Sequence, residues 1–490
     1  YWLIADISIM NAGGISVPIF TTYSDNDYEH ILNDCKPSLI IVSDQNQFNK
    51  IKKIIDKDEV KKIISFEKID TDSLLITDIL NEEISEKIIN KNLTRNKPAC
   101  IIYTSGTSGN PKGVVLSHGG ILSNCEGAVE LLQALTNLKD PVFLTWLPLS
   151  HSYEHTVQFI QIIVGAKVFY AESLEKLISN MSIAKPTIMT AVPRFYQNIF
   201  TKIKMNFEKQ SRFKRKLINQ TLILGKKILN KENLSLGEKI VNFICEKLVR
   251  KKIRNQFGGN LQAFVSGGGA LDQNIGEFLN AVGLPTLQGY GLTEASPIVS
   301  CNLPDLVKVN SVGPPFRTNK VKLAKDGEIL IKGENVMLGY WNLKDETKKI
   351  IKDGWLYTGD IGEFDHQNYL KITDRKKDII INLGGDNISP SKIENILCLN
   401  ESIKQCLVYG DKKNYLVALI VSEKQINKEK IKLIIENTNK SLTLIEKIKK
   451  FVLIHDEFTI ENGMLTPTLK IKRKEIIKNY KQQLENLYLN

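Results

Sequence analysis

No two cysteines of this chain stand in a CxxC pair. The seven present, Cys35, Cys100, Cys125, Cys245, Cys301, Cys398 and Cys406, are far apart and odd in number. That excludes a zinc ribbon and a disulfide scaffold and points to a reducing compartment. No apolar run reaches the ~18 residues of a bilayer-crossing helix. The best stretch, Phe159 to Phe169, is cut by Gln161, Gly165 and Lys167. An initial methionine is lacking too. Tyr1 already falls within an apolar helical pattern (Leu3, Ile7, Met10), so the expectation is a chain without its natural start, whose targeting cannot be read from this end. With 42% hydrophobic and 24% charged residues over 490 positions, a mostly disordered or collagen-like chain is excluded. At ~150 residues per domain, the length suggests about three units, or one oversized domain with a smaller one.

Lys and Arg (66) outnumber Asp and Glu (54), giving a net +12. Nucleic acid, anionic lipid or an acidic small substrate would each fit such a balance. The chain is rich in Lys, Ile and Asn throughout, so the excess is read as compositional.

Residues 1–100 alternate helical and short apolar stretches. Ile15 to Phe20 and Leu39 to Val42 read as buried strands, the first weakened by Pro18, and Asp25 to Asn33 as a helix. The alternation predicts a parallel α/β sheet. From about 201 to 256 a Lys/Arg-studded helical insertion is predicted, read first as a solvated amphipathic element and otherwise as a surface for a membrane or an acidic partner. Tyr369 to Ile372 and Ile379 to Ile381 read as strands around the polar run Asp374-Arg375-Lys376-Lys377-Asp378. A helix start is expected at Ser389-Pro390, with Ser391 and Glu394 as a capping box. Gln405 to Tyr409 and Tyr415 to Val421 are expected to form a hairpin.

The strongest chemical signal is Tyr103-Thr104-Ser105-Gly106-Thr107-Ser108-Gly109-Asn110-Pro111-Lys112-Gly113. Glycine lets backbone N–H groups approach an anion, hydroxyls donate to phosphate oxygens, and lysine adds a mobile positive charge. It is not a Walker A loop, because Lys112 is followed by Gly113 and a strand-like Val114-Val115-Leu116 rather than by Ser or Thr and a helix. A flexible turn is the alternative.

This segment resembles the signature loop of the adenylate-forming (AMP-binding) superfamily, and the family's other motifs follow in order. Trp146-Leu147-Pro148-Leu149-Ser150-His151 resembles the motif whose histidine lines the acyl pocket. Ser266-Gly267-Gly268-Gly269-Ala270 is similar to the adenine-binding glycine turn, and Gln288-Gly289-Tyr290-Gly291-Leu292-Thr293-Glu294 to the nucleotide and magnesium motif. Tyr357-Thr358-Gly359-Asp360 and Asp374 to Asp378 resemble the ribose motif and the hinge, and Leu465 to Arg473 the C-terminal lysine motif. Many members have glycine before that lysine, where this chain has Leu469. Long-chain relatives carry a similar Thr-Pro-Thr-Leu-Lys form.

The resemblance implies ATP, Mg²⁺ and coenzyme A. Thr104, Ser105, Gly106, Thr107, Ser108, Gly109 and Lys112 would grip phosphate. Gly267, Gly268, Gly269, Ala270, Gln288, Gly289, Tyr290 and Gly291 would hold the base, Thr293 the α-phosphate, Asp360 and Arg375 the ribose, and Glu294 the metal. Lys470, with Thr293 and Glu294, would be catalytic, stabilising charge on the phosphoryl oxygens. His151 and Tyr196 (within Val192-Pro193-Arg194-Phe195-Tyr196) would line the acyl pocket, and Lys377 would be the hinge. The insertion and the run Asp374 to Pro390 are similar to the long-chain fatty acyl-CoA synthetases.

The expected architecture is α/β. It has a large multi-layer N-terminal α/β domain (1–376, incomplete at its start, with the insertion about 201–256) and a small α+β C-terminal domain (377–490). The activity the resemblance implies is ATP-dependent ligation of a long-chain fatty acid to CoA through an acyl-adenylate, releasing AMP and pyrophosphate, in a cytoplasmic protein, with peripheral membrane contact left open and no nucleic-acid partner; oligomeric state is not readable. Another acid or an acyl-carrier-protein acceptor stays open. So does a remote alternative: His151, Glu154 and His155 match H-x-x-E-H, the pattern of inverted zinc proteases.

Overall fold

Short segments, Val142–Thr145, Ile188–Ala191, Ala263–Ser266 and the first half of Thr286–Gly291, are largely buried on both faces and so need helices on each side. They occupy the middle of a six-stranded sheet. Its order is Ile298–Cys301, Thr286–Gly291, Ala263–Ser266, Ile188–Ala191, Val142–Thr145, Lys167–Tyr170. All pairings are parallel except that of Ile298–Cys301, an antiparallel edge. The computed structural model describes residues 1–56, 58–83, 92–104, 110–135, 140–466 and 470–489.

The chain divides into two compact units. One gathers Tyr1–Gly120, Met337–Ile350 and His455–Asn490; the other gathers Ile121–Val336 and Ile351–Ile454. No edge of this division falls at Lys377.

In the first unit, Pro98–Thr104 pairs antiparallel with Lys112–Ser117, which pairs in turn with Gly339–Tyr340. Leu39–Val42, Lys62–Ser65 and Leu74–Leu75 form a small parallel sheet. The helix Asp25–Cys35 begins on a reciprocal cap, with Ser24 accepting from the Asp27 N–H and Asp27 accepting from the Ser24 N–H. Tyr28, Ile31 and Leu32 of that helix pack with Ile101, Tyr103 and Val115. The expected strand Ile15 to Phe20 is reduced to one bridge, Ser16 to Cys100, because Pro18 has no N–H to extend a ladder.

In the second unit the parallel sheet carries a core of Leu144, Met181, Met189, Tyr196, Phe264 and Ile275. An antiparallel sheet follows, in the order Asn319–Leu323, Glu328–Gly333, Trp355–Phe364, Ile351–Lys352, with Leu370–Arg375 paired to Trp355–Phe364. The predicted insertion is helical: Arg212–Leu229, then Leu236–Cys245, a wider π turn Glu246–Arg250, and Lys251–Gln256. Beyond Lys377, Gln405–Tyr409 and Leu416–Val421 form the expected hairpin, and Ile448–Ile454 joins it in parallel. The cap of the helix Pro390–Leu397 is Ser389 rather than Ser391. Ser389 accepts from the Lys392 N–H, while Glu394 accepts from the Val408 N–H on the hairpin. All seven cysteines are free thiols.

Candidate functional site

Three motif segments leave the carboxyl ends of neighbouring parallel strands, where open α/β sheets collect ligands. Ile188–Ala191 runs into Val192-Pro193, Ala263–Ser266 into the glycine turn, and Thr286–Gly291 into Leu292-Thr293-Glu294. The glycine turn is shaped by real constraints. Gly268 has φ +78°, and a Cβ on Gly267 would lie 2.8 Å from the Tyr153 ring. Gly268, Gly269 and Ala270 are exposed, and the buried Ser266 hydroxyl beside them has no hydrogen-bond partner. This is a cradle with one polar atom left to answer a ligand.

Tyr290, half-buried, donates its hydroxyl to Asp360 Oδ2 at 2.7 Å. Arg375 Nε stands 3.2 Å from Asp360 Oδ1. The two strands that carry Asp360 and Arg375 put them directly opposite each other. Partial removal from water opposes the charge on Arg375. Asp360 first, then Glu294, Asp378 and Tyr290, outweigh it and hold its pKa above the ordinary value. Burial, then Asp360, pushes the Tyr290 hydroxyl well up, so it stays a donor. The backbone at Asp360 is set by a left-handed Gly359 (φ +73°), whose N–H donates to Glu328.

Thr293 and Glu294 form one 3₁₀ turn. The Thr293 hydroxyl pairs with Ser152 at 2.9 Å, tying this motif to the helix that follows His151. Glu294 is a hard oxygen donor in company with a threonine hydroxyl. Among the described residues no group of three His, Cys, Asp or Glu could hold a metal alone. One carboxylate, completed by waters and phosphates, suits Mg²⁺. It does not suit zinc, and the protease alternative fails on the same geometry. His151 accepts from the Tyr153 N–H at the helix start. Glu154 Oε2 accepts from the Thr190 hydroxyl at 2.8 Å, and the fully buried His155 packs on Phe159.

Tyr196 is fully buried. Its ring lies 5.6 Å from Phe264 within the core of the sheet, and its buried hydroxyl has no hydrogen-bond partner. Trp146 and Phe195, half-buried with ring centroids 5.4 Å apart, lie nearer the surface. Sequence reasoning passed over Ser152 and Tyr153, which directly follow the quoted His151 motif, and over this aromatic pair. The Gln288 amide donates to the Val309 carbonyl at 2.5 Å.

In the first unit, Ser105, Gly106, Thr107, Ser108 and Gly109 lie outside the described residues; the strands on either side of them are in place. Lys112 Nζ meets Glu346 Oε2 at 2.7 Å and sits 5.2 Å from the centre of the Tyr340 ring. Glu346 also holds Lys349, and these two cations, Lys112 first, pull its carboxyl down to about 2. Nothing in the motif spacing announced Glu346. Lys470 is exposed; its N–H donates to the Thr466 hydroxyl and its carbonyl accepts from the Thr466 N–H. Lys377 lies exposed in a turn. Its neighbour Lys376 is bound to Asp326 at 2.6 Å and to Glu328 at 2.8 Å, and both contacts hold its pKa up.

The chain is similar to known proteins along nearly its whole length. The chain is 28% identical, over 99% of its length and 86% of the other protein, to the long-chain-fatty-acid–CoA ligase FadD15 of Mycobacterium bovis. It is 29% identical to human long-chain-fatty-acid–CoA ligase 1, over 99% of this chain and 76% of that one. Its fold is similar to that of the anthranilate CoA ligase AuaEII in complex with anthranoyl-AMP (TM-score 0.75, 21% identity, 98% and 86% of the two chains). It is also similar to O-succinylbenzoate CoA synthetase of Bacillus subtilis in complex with ATP and magnesium (TM-score 0.71, 21% identity, 96% and 85%). The AMP-binding enzyme family pattern matches residues 1–341, and its C-terminal domain pattern matches 377–490. The chain therefore belongs to the AMP-binding enzymes, the adenylate-forming ligases.

Proposed function

We propose that this chain ligates a long-chain fatty acid to coenzyme A with ATP and Mg²⁺. A carboxylate oxygen attacks the α-phosphorus and pyrophosphate leaves. The CoA sulfur, losing its proton, then attacks the acyl carbon and AMP leaves. The observation that carries the reading is the Tyr290–Asp360–Arg375 cluster, electrostatically coupled to Glu294. A carboxylate fixed by a phenol and a guanidinium is built to take a diol such as ribose. Glu294 and Thr293 would face the metal and the α-phosphate, Lys112 and its loop the outer phosphates, and the Gly267–Ala270 turn the base. Lys470 would supply the cation for the first step.

Residues 1–376 and 377–490 would act as two domains turning about Lys377, since two half-reactions need two cation placements over one pocket. The full-length likeness to long-chain-fatty-acid–CoA ligases supports the choice of acid, and His151 would border the acyl chain. The test is mass spectrometry of products from ATP, CoA and mixed fatty acids. Long-chain acyl-CoA with stoichiometric AMP is expected. Thioesters of aryl or short acids only, or acyl transfer only to a carrier protein, would refute the substrate assignment.

A further inference from the structure

The net charge of the chain is not spread over it. Residues 201–256 hold sixteen Lys and Arg against four Glu, a difference of +12, which equals the excess of the whole chain. The remaining residues are balanced, 50 against 50. The compositional reading of the charge is therefore replaced by a local one.

The same segment exposes apolar side chains in register. Along Leu236–Cys245 and the π turn Glu246–Arg250, Leu236 is 81% exposed, Ile240 65%, Phe243 59% and Leu248 50%, with Ile244 also exposed. They recur at three- and four-residue steps, which makes one stripe. A separate stripe of Cys245, Val249 and Ile253 is buried and anchors the helix. Lys239, Lys247, Lys251 and Lys252 are exposed along the outward stripe, with Lys247 Nζ 4.5 Å from the centre of the Phe243 ring. The preceding helix opens on Arg212-Phe213-Lys214-Arg215-Lys216, all exposed, and Lys227 to Glu238 at 2.6 Å ties the two helices together. Among the described residues no helix is long and apolar enough to cross a membrane.

We infer that this helical face docks on an anionic lipid bilayer, with Leu236, Ile240, Phe243 and Leu248 entering the headgroup boundary and the surrounding lysines meeting lipid phosphates. Charge complementarity picks the anionic surface, and the aliphatic stripe picks lipid over nucleic acid, which would leave those side chains in water. The inference needs neither ATP nor an acyl substrate, so it stands or falls apart from the ligase reading.

The test is co-sedimentation of the full chain with phosphatidylcholine vesicles, with and without about one-third phosphatidylglycerol, at low and high salt. Binding is expected only to the anionic vesicles, weakening with salt. It should drop at least about tenfold both in Lys239→Glu/Lys247→Glu/Lys251→Glu and in Ile240→Asp/Phe243→Asp. These positions are exposed, so thermal melting should stay near the parent value, and ATP-dependent turnover of dispersed acid should be unchanged. Four results would overturn the inference: no vesicle binding, binding that survives either variant, tighter binding to duplex DNA than to vesicles, or a dimer that dissociates in Ile240→Asp/Phe243→Asp.

Discussion

Arg375 and Lys112 are both cations in nucleotide-type motifs, and each rests against a carboxylate, but the two carboxylates do different things. In the second unit Asp360 is held by Tyr290 and Arg375 together and is set on a strand by a left-handed glycine. The cluster is finished before any ligand arrives, and a diol would add to it. In the first unit Glu346 occupies the ammonium of Lys112 and takes Lys349 as well. A phosphate arriving at Lys112 would have to replace Glu346. One region is preorganised and the other exchangeable, which is what the proposed function asks of a ribose platform and a leaving-group grip.

The largest break in this comparison is expected from a third cation. Lys470 sits exposed, its backbone tied on both sides to Thr466. Lys470→Ala should lower fatty-acid-dependent pyrophosphate exchange on the order of 10²–10³-fold, as expected for removing a charge that stabilises only the transition state. Thioester formation from supplied acyl-AMP should be spared. Equal loss of both half-reactions would show that Lys470 serves the fold or both steps.

Smaller effects should run in opposite directions at the two carboxylates. Asp360→Ala removes the acceptor that the proposed function assigns to the ribose, so the KM for ATP should rise about tenfold or more, one charge-assisted hydrogen bond being enough for that. Glu346→Gln removes a competitor, so the KM for ATP should fall a few-fold. Melting should barely move, because an ion pair open to water contributes little. A rise in KM with Glu346→Gln would make Glu346 a positioning group and erase the distinction.

How much of this was legible beforehand depends on separation along the chain. The glycine turn and the Lys112 loop declare themselves in local composition, and the alternation of apolar strands with helices told the parallel sheet correctly. The Leu39–Val42 strand and the 405–421 hairpin were legible for the same reason. Pairings between distant residues were not. Tyr290 and Asp360 are 70 positions apart and Lys112 and Glu346 are 234 apart, and no pattern of period two or 3.6 reaches that far. Ser389 outcompeted Ser391 as a cap because Glu394 is turned to the hairpin, a tertiary demand invisible locally. The packing of Tyr196 against Phe264 joins residues 68 positions apart and was equally out of reach of any local pattern.

The comparison of carboxylates extends to one that no cation answers. Glu154 is fully buried, and burial raises its pKa from 4.5 to about 7, against hydrogen bonds from Thr190, Thr145 and Gln158. Its folded state prefers the proton, so its contribution to stability is complete below pH ~4.5 and fades as pH rises through 7. The displacement corresponds to at most about 3 kcal/mol at 1.36 kcal/mol per pKa unit. Glu154→Gln keeps the shape of the protonated acid and cannot ionise. Its melting temperature should match the parent near pH 5 and exceed it by a few degrees at pH 8, where the parent must bury a charge or take up a proton. The same substitution should leave the KM for ATP unchanged, because Glu154 faces Thr190 under the sheet and not the Asp360 cluster. A melting difference that stays constant from pH 5 to 8 would mean that Glu154 does not titrate there. Burial without a cation would then be tolerated in this fold as readily as the paired charge of Asp360.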